Sequence, residues 1–216
     1  MQNETDFINE FIRFAIHKGV LKFGDFTLKS GRQSPYFFNA GLFQDGESLA
    51  RLGEYYAQAL QASGVSYDVL FGPAYKGIPL VSATAIGLSS HYQRNVSYAY
   101  SRKEAKLHGE GGQLVGAELS GQVMIVDDII TAGTAIREAI DLIQAHGAKV
   151  AGVVVAIDRQ EKGKGALSAI EEVQQEFKVP VLSIVKFSDI IAYVSTQFSQ
   201  DQVERMQAYR LAYGVS

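Results

Sequence analysis

Apolar positions along the chain change period several times, and those changes mark its elements. Phe7, Ile8, Phe11, Ile12, Ala15 and Ile16 recur at helical spacing and end at Gly19, which predicts an N-terminal helix. Residues 23–43, FGDFTLKSGRQSPYFFNAGLF, mix aromatics with turn formers and read as short strands or hairpins. Leu49, Leu52, Tyr56 and Leu60 lie near one face of a helix over 48–63, with Gly64 following. From there strands and helices alternate. Val69–Phe71 is a short apolar strand, followed by a Gly/Pro loop and a helix to about Leu88. Val96–Tyr100, Val123–Val126, Val150–Ile157 and Val181–Ile184 are further strands. Between them lie a helix over Thr134–His146 and another that ends near Phe177, opened by a Ser168/Glu171 capping box. Apolar strands joined by helical crossovers predict a doubly wound α/β fold around a parallel sheet. Ligands of such sheets sit at the carboxyl ends of the strands, so the loops after Phe71, Tyr100, Val126 and Ile157 are where chemistry is sought.

Composition narrows the classes. With 216 residues and no repeat or low-complexity linker, one continuous domain is expected. Twenty basic residues against 23 acidic ones give a net charge of −3, so no global positive field gathers nucleic acid. The absence of cysteine excludes disulfides and thiolate zinc sites. The first twenty residues carry Glu4, Asp6 and Glu10 and do not read as a signal peptide. No run of about 18 apolar residues predicts a membrane span. A cytoplasmic protein is the expectation.

The strand-end loops carry the candidate chemistry. Asp127 and Asp128 close a buried strand, and the loop IITAGTA after them supplies small residues, two hydroxyls and Gly133 before a helix opens at Thr134. Backbone N–H groups at a helix start bind phosphate, and carboxylates beside a phosphate need hydroxyl donors or a divalent cation to face. A diol flanked by phosphate satisfies both; a solvated acidic turn with Thr134 as N-cap is the plainer alternative. The loop GPAYKG, residues 72–77, places Lys76 at the same sheet edge, although a tight turn with an exposed lysine has the same pattern. Its glycine spacing is not a P-loop, because Ile78 and Pro79 stand where Lys and Ser/Thr are required. Residues 101–113, SRKEAKLHGEGGQ, form a long polar stretch with Arg102, Lys103, Lys106 and His108, either a mobile loop or a cationic lid for a polyanion.

VMIVDDIITAGTA resembles the phosphoribosyl-diphosphate signature of type I phosphoribosyltransferases. FTLKSGRQSPYFFNAG, LFGPAYKGIPL, RKEAKLHGEGG and AIDRQEKGKG resemble the orotate branch of that family, as found in bacterial orotate phosphoribosyltransferases, and the similarity runs from about Phe11 to the C-terminus. The resemblance implies a mainly parallel five-stranded sheet. It also implies a small hood, mainly from residues 1–45 with a C-terminal contribution, over a core of about 46–190. The activity implied is magnesium-dependent transfer of 5-phosphoribose from its 1-diphosphate to orotate, within pyrimidine biosynthesis. Asp127 and Asp128 would hold the ribose hydroxyls, and Ile129, Ile130, Thr131, Ala132, Gly133, Thr134 and Ala135 would form the phosphate cradle. Tyr75 and Lys76 would meet the diphosphate across a non-proline cis bond at Ala74–Tyr75, joined by Arg102, Lys103, Lys106 and His108. Lys29, Phe37, Phe38, Thr131 and Arg159 would define the orotate pocket, with Lys29 also near the donor. No direct protein ligand for Mg²⁺ is assigned; the ion would be held mainly by the diphosphate substrate near Asp127 and Asp128. A homodimer with shared sites is implied, with no nucleic-acid or membrane partner. Transfer to another base, or a regulator that binds the donor without turnover, are the alternatives; the latter would be expected to carry a basic face or an added domain.

Overall fold

A computed structural model of the chain describes residues 4–28, 30–106, 112–163 and 165–215, with only the backbone at 4, 104–106 and 112. The expected helices and strands form as α1 (Glu4–His17), β1 (Leu21–Thr27), β2 (Gln33–Phe38), α2 (Gly46–Ser63), β3 (Val69–Gly72) and α3 (Gly77–Tyr92). They continue as β4 (Ser97–Lys106), β5 (Gly112–Gly116), β6 (Gln122–Val126), α4 (Thr134–Ala145), β7 (Lys149–Asp158), α5 (Ala169–Phe177) and β8 (Val181–Lys186). The Ser168/Glu171 capping box is present at the start of α5. Two further helices, α6 (Phe187–Gln197) and α7 (Gln200–Tyr213), were not anticipated from the pattern.

The main sheet has the order β5-β4-β3-β6-β7-β8, parallel throughout except for β5. The expected five parallel strands are therefore present, and β5 adds a sixth, antiparallel one. Residues 101–113, expected as a polar loop or lid, are therefore strand at both ends. Ala99, Tyr100 and Ser101 pair with Gly116, Val115 and Leu114, and Lys106 pairs with Gly112, so backbone strands flank the polar stretch on both sides. An edge ladder needs apolar side chains on one face at most, so its sequence reads as loop.

Alternation along the inner strands explains why they look uniformly apolar. Leu70, Met124, Val126, Val154 and Ala156 join the core under α1, α2, α3, α6 and α7. Val69, Phe71, Val123, Ile125, Val153 and Val155 join the opposite core under α4 and α5. Both faces are covered, so neither can be polar. Helices α2 and α3 approach closely because Gly53 and Gly87 face each other: a Cβ on Gly53 would lie 2.3 Å from the Ala83 carbonyl oxygen. Gly53→Ala is therefore expected to destabilise by about 1–3 kcal/mol, lowering Tm by roughly 2–10 °C in a thermal melt; an unchanged Tm would contradict this packing.

The β1–β2 hairpin packs onto the C-terminal helices through one aromatic. Tyr36 is fully buried, stacks on Phe187 at 4.8 Å and meets Tyr209 edge-on at 6.1 Å. Sheet order also positions the site. From β3 the chain crosses to β4 on one side, while β6 lies on the other, so the carboxyl ends of β3 and β6 flank the crevice where strand order reverses.

Candidate active site

Strand β6 delivers Asp127 and Asp128 into that crevice, buried to 8% and 6% exposure. Backbone bonds fix both. The Asp127 N–H donates to Val154 O at 3.1 Å, its carbonyl accepts from the fully buried Tyr56 hydroxyl at 2.7 Å, and the Ala156 N–H donates to Asp128 O at 3.0 Å. The Asp128 N–H donates to Asp127 Oδ1 at 2.9 Å, and Lys76 Nζ donates to Asp128 Oδ2 at 2.6 Å. Lys76 thus pairs directly with Asp128 and reaches Asp127 only through the field of the same charge. Burial, and then the neighbouring Asp128 charge, push the Asp127 carboxyl up to about 7.

A carboxyl of the unfolded chain titrates near 3.9. Between that value and about 7, folded Asp127 keeps a proton that the unfolded chain has lost, so stability falls as pH rises across this window and levels off above it. Asp127→Asn is expected to remove this slope. It should melt higher than the parent protein at pH 8 and close to it near pH 4; parallel curves for the two proteins across that range would contradict the assignment.

After the acidic pair the chain prepares an anion cradle. Ile130 turns its side chain into the core, whereas Thr131 and Ala132 are exposed. Gly133, at φ 74°, is the N-cap of α4 and supplies no side-chain cap. Thr134 is therefore the first helical residue rather than the cap, and the leading N–H groups of α4 lack the side-chain acceptor that usually occupies them. Arg137 braces the cradle by donating to Ala132 O at 2.9 Å, and is itself held by Glu176 at 2.8 Å.

The loop after β3 faces this cradle across the crevice. Its Ala74–Tyr75 bond is cis, as the resemblance implied. The Ala74 N–H donates to Ser101 Oγ at 3.0 Å, which ties the loop to β4. Tyr75 is 67% exposed, with Lys103 Nζ 5.1 Å from its ring centre. A cavity of about 350 Å³ opens beside this loop, lined among others by Ala74, Ser101, Arg102, Lys103, Gln113 and Ala135. Arg102 and Lys103 thus share a cavity with the end of the cradle. Lys106 ends β4, and its side chain lies outside the described residues, as do Lys29 and His108.

Beyond β7, Arg159 lies 5.1 Å from the Tyr36 ring and makes its described hydrogen bonds to Glu161, through Nε at 2.9 Å and Nη2 at 2.6 Å. Burial opposes its charge, yet Tyr36 and Glu161 outweigh burial and raise its pKa. An isolated bridge between Ile129 and Ile157 brings this segment alongside the acidic loop. Of the two phenylalanines on β2, Phe38 is buried in the core, while Phe37 is partly exposed and stacks on Phe26 at 5.5 Å. The structure therefore brings together the acidic pair, the cradle and Lys76, places Arg102 and Lys103 beside them, and seats Arg159 next to the hairpin.

Four residues in supporting roles escaped the sequence: Tyr56, Ser101, Arg137 and Glu161. Arg137 and Glu161 left a trace, a lone cation one turn into the helix after the cradle and a carboxylate two residues after Arg159. Tyr56 looks like an ordinary residue of an inner helical face, and Ser101 like the start of the polar stretch.

Among the described residues no cluster of three or more His, Cys, Asp or Glu side chains could hold a metal ion, and no helix is long and apolar enough to cross a membrane. Magnesium keeps several waters and uses one or two carboxylates plus substrate phosphates, so a lone acidic pair fits an ion that arrives with a diphosphate better than one resident in the protein.

Residues 41–183 match the model of the phosphoribosyl transferase domain family. The chain is 58% identical over 212 residues to the orotate phosphoribosyltransferase of Pseudoalteromonas translucida, covering 98% of this chain and 99% of the relative. It is 61% identical over 207 residues to that of Vibrio cholerae, covering 95% and 97%. A crystal structure of the Francisella tularensis orotate phosphoribosyltransferase superposes with a TM-score of 0.89 at 48% identity, covering 95% of this chain and 99% of that one.

Proposed function

Since the chain belongs to the orotate phosphoribosyltransferases, within the phosphoribosyl transferase family, we propose that it moves 5-phosphoribose from 5-phosphoribosyl 1-diphosphate to N1 of orotate, releasing diphosphate, and that the residues assembled above divide the work. The observation that carries the division is the buried Asp127–Asp128 pair followed by an uncapped helix start. Carboxylates accept hydrogen bonds from the ribose 2- and 3-hydroxyls, while N–H groups of Thr131–Ala135 surround the 5-phosphate. Lys76, Arg102 and Lys103 face the diphosphate, and Lys106 and His108 are assigned to the same group.

The C1–O bond breaks as negative charge grows on the leaving diphosphate, so prearranged cations lower the barrier more than they strengthen binding. Bound with the diphosphate, Mg²⁺ would neutralise part of that charge beside Asp127 and Asp128. In this scheme Lys76 trades one anion for another: its bond to Asp128 keeps it poised until the diphosphate arrives. Orotate's charge sits on its carboxylate rather than on N1, so forming the N1–C1 bond also releases the N1 proton, which the departing diphosphate or solvent can accept. Arg159 offers a planar fork to its carboxylate, with Lys29, Phe37, Phe38 and Thr131 around the ring. Closure of residues 101–113 over the site of a second subunit in a cytoplasmic homodimer belongs to the same proposal, since shutting out water protects the ribosyl cation.

The test is stoichiometric. With orotate, 5-phosphoribosyl 1-diphosphate and Mg²⁺, diphosphate should appear mole for mole with loss of orotate, and EDTA should stop both. Diphosphate release without loss of orotate would reduce the activity to donor hydrolysis.

A further inference from the structure

Glu161 collects donors from three parts of the fold. Its Oε1 accepts from Arg159 Nε and Nη2 on the segment after β7, from the Tyr36 hydroxyl of the β1–β2 hairpin at 3.3 Å, and from the Tyr209 hydroxyl of α7 at 3.0 Å. Its Oε2 lies 3.5 Å from Arg32 Nη1, and Arg32 Nη2 donates onward to Lys162 O at 3.0 Å. A carboxylate offers about four lone-pair sites in all. With four donors on one oxygen and an arginine at the other, Glu161 is saturated by its own protein and is poorly placed to accept from a ligand. Its effect must pass through the groups it holds.

The geometry at Arg159 says what that effect is. Guanidinium carries five N–H donors, arranged as a side-on edge (Nε with one terminal nitrogen) and an end-on edge between the two terminal nitrogens. Glu161 occupies the side-on edge. Among the described residues no bond to Arg159 Nη1 occurs, so the end-on edge is the one left to a planar carboxylate. The Tyr36 ring beneath the guanidinium fixes its plane, and Tyr36 is itself clamped between Phe187 and Tyr209. We propose that Glu161 is a positioning residue that turns the end-on edge of Arg159 toward the acceptor's carboxylate, with Tyr36 and Tyr209 coupling the hairpin and α7 to that alignment. This rests on the functional reading above.

The test separates alignment from general structural support. Glu161→Gln keeps size and an acceptor oxygen but gives up the charge. KM for orotate is expected to rise about tenfold or more, the scale of one lost charge-assisted hydrogen bond, while KM for 5-phosphoribosyl 1-diphosphate stays within about twofold and use of uracil, which lacks the carboxylate, does not change. Tyr209→Phe should move orotate KM in the same direction by a smaller factor. An orotate KM that falls or stays put, or an equal loss with uracil, overturns the proposal. If Glu161→Gln does not fold, an unaltered orotate KM in both Tyr36→Phe and Tyr209→Phe overturns it equally. Should the unsubstituted protein ignore orotate, the functional reading fails; should it use orotate while Glu161→Gln matches it, the positioning role alone fails.

Discussion

Asp128→Asn is expected to lower kcat/KM for 5-phosphoribosyl 1-diphosphate by about two to three orders of magnitude while leaving the melting temperature nearly unchanged. Asn keeps the shape but turns an acceptor-only group into one that also presents N–H donors. Both the sugar hydroxyls and Lys76 Nζ need an acceptor there. A hydrogen bond to a charged partner contributes roughly 1.5–3 kcal/mol, so losing two of them, about 3–6 kcal/mol, corresponds to about two to four orders in rate, and the amide's remaining acceptor oxygen keeps the loss at the lower end. Stability responds much less, because the Lys76 side chain is 57% exposed and a half-solvated ion pair contributes at most about 1 kcal/mol. A melt shifted by ten degrees with kcat/KM intact would place Asp128 in the scaffold instead. Asp127→Asn makes the complementary case: it should gain stability above neutral pH while losing activity, because the carboxyl proposed to bind the sugar is one that burial penalises.

Arg159→Lys carries the second large effect. Charge is retained, but a point ammonium cannot offer the paired donors of the guanidinium plane, so kcat/KM for orotate is expected to drop about a hundredfold with donor KM little changed. The lysine form also leaves Glu161 less fully paired, and some loss of stability should accompany it, since weakening a buried pair exposes the partner's desolvation cost. Steady-state kinetics with each substrate varied in turn, beside a thermal melt, separates the two. Equal losses toward both substrates would remove Arg159 from acceptor recognition.

Both residues were legible in the sequence, for different reasons. Asp127 and Asp128 stand at the end of an apolar run, where unpaired carboxylates are too costly to be packing residues, so their position alone implied work to do. Arg159 became notable through the family resemblance, since an arginine after a buried strand has many ordinary explanations. The parallel strands and the helices between them followed from period and length. Helices α6 and α7 did not; in α7 the buried positions are Val203, Met206 and Tyr209, while Leu211 lies out in solvent, so its apolar residues do not mark one clean face. The β4–β5 extension was hidden for a related reason: edge pairing is made by backbone groups, and its side chains are those of a solvated loop.

Supporting contacts were the least legible. The Tyr56 hydroxyl reaches the Asp127 carbonyl across 71 positions, and Tyr209 reaches Glu161 across 48. Neither spacing has a local signature, because such pairs are set by how helices dock on the sheet. The groups proposed to meet ligands stand at strand ends and can be read from the chain; those proposed to aim them come together only in three dimensions.

If the acidic pair and its cradle hold the donor while Arg159 and the hairpin select orotate, the choice of acceptor should show it when 5-phosphoribosyl 1-diphosphate and Mg²⁺ are offered with orotate, uracil, adenine or guanine in separate reactions and each acceptor is followed by absorbance. Rapid turnover of orotate, with the other bases far slower, is the predicted result. Turnover of a purine or of uracil in preference to orotate, or donor binding with no acceptor consumed, would contradict it.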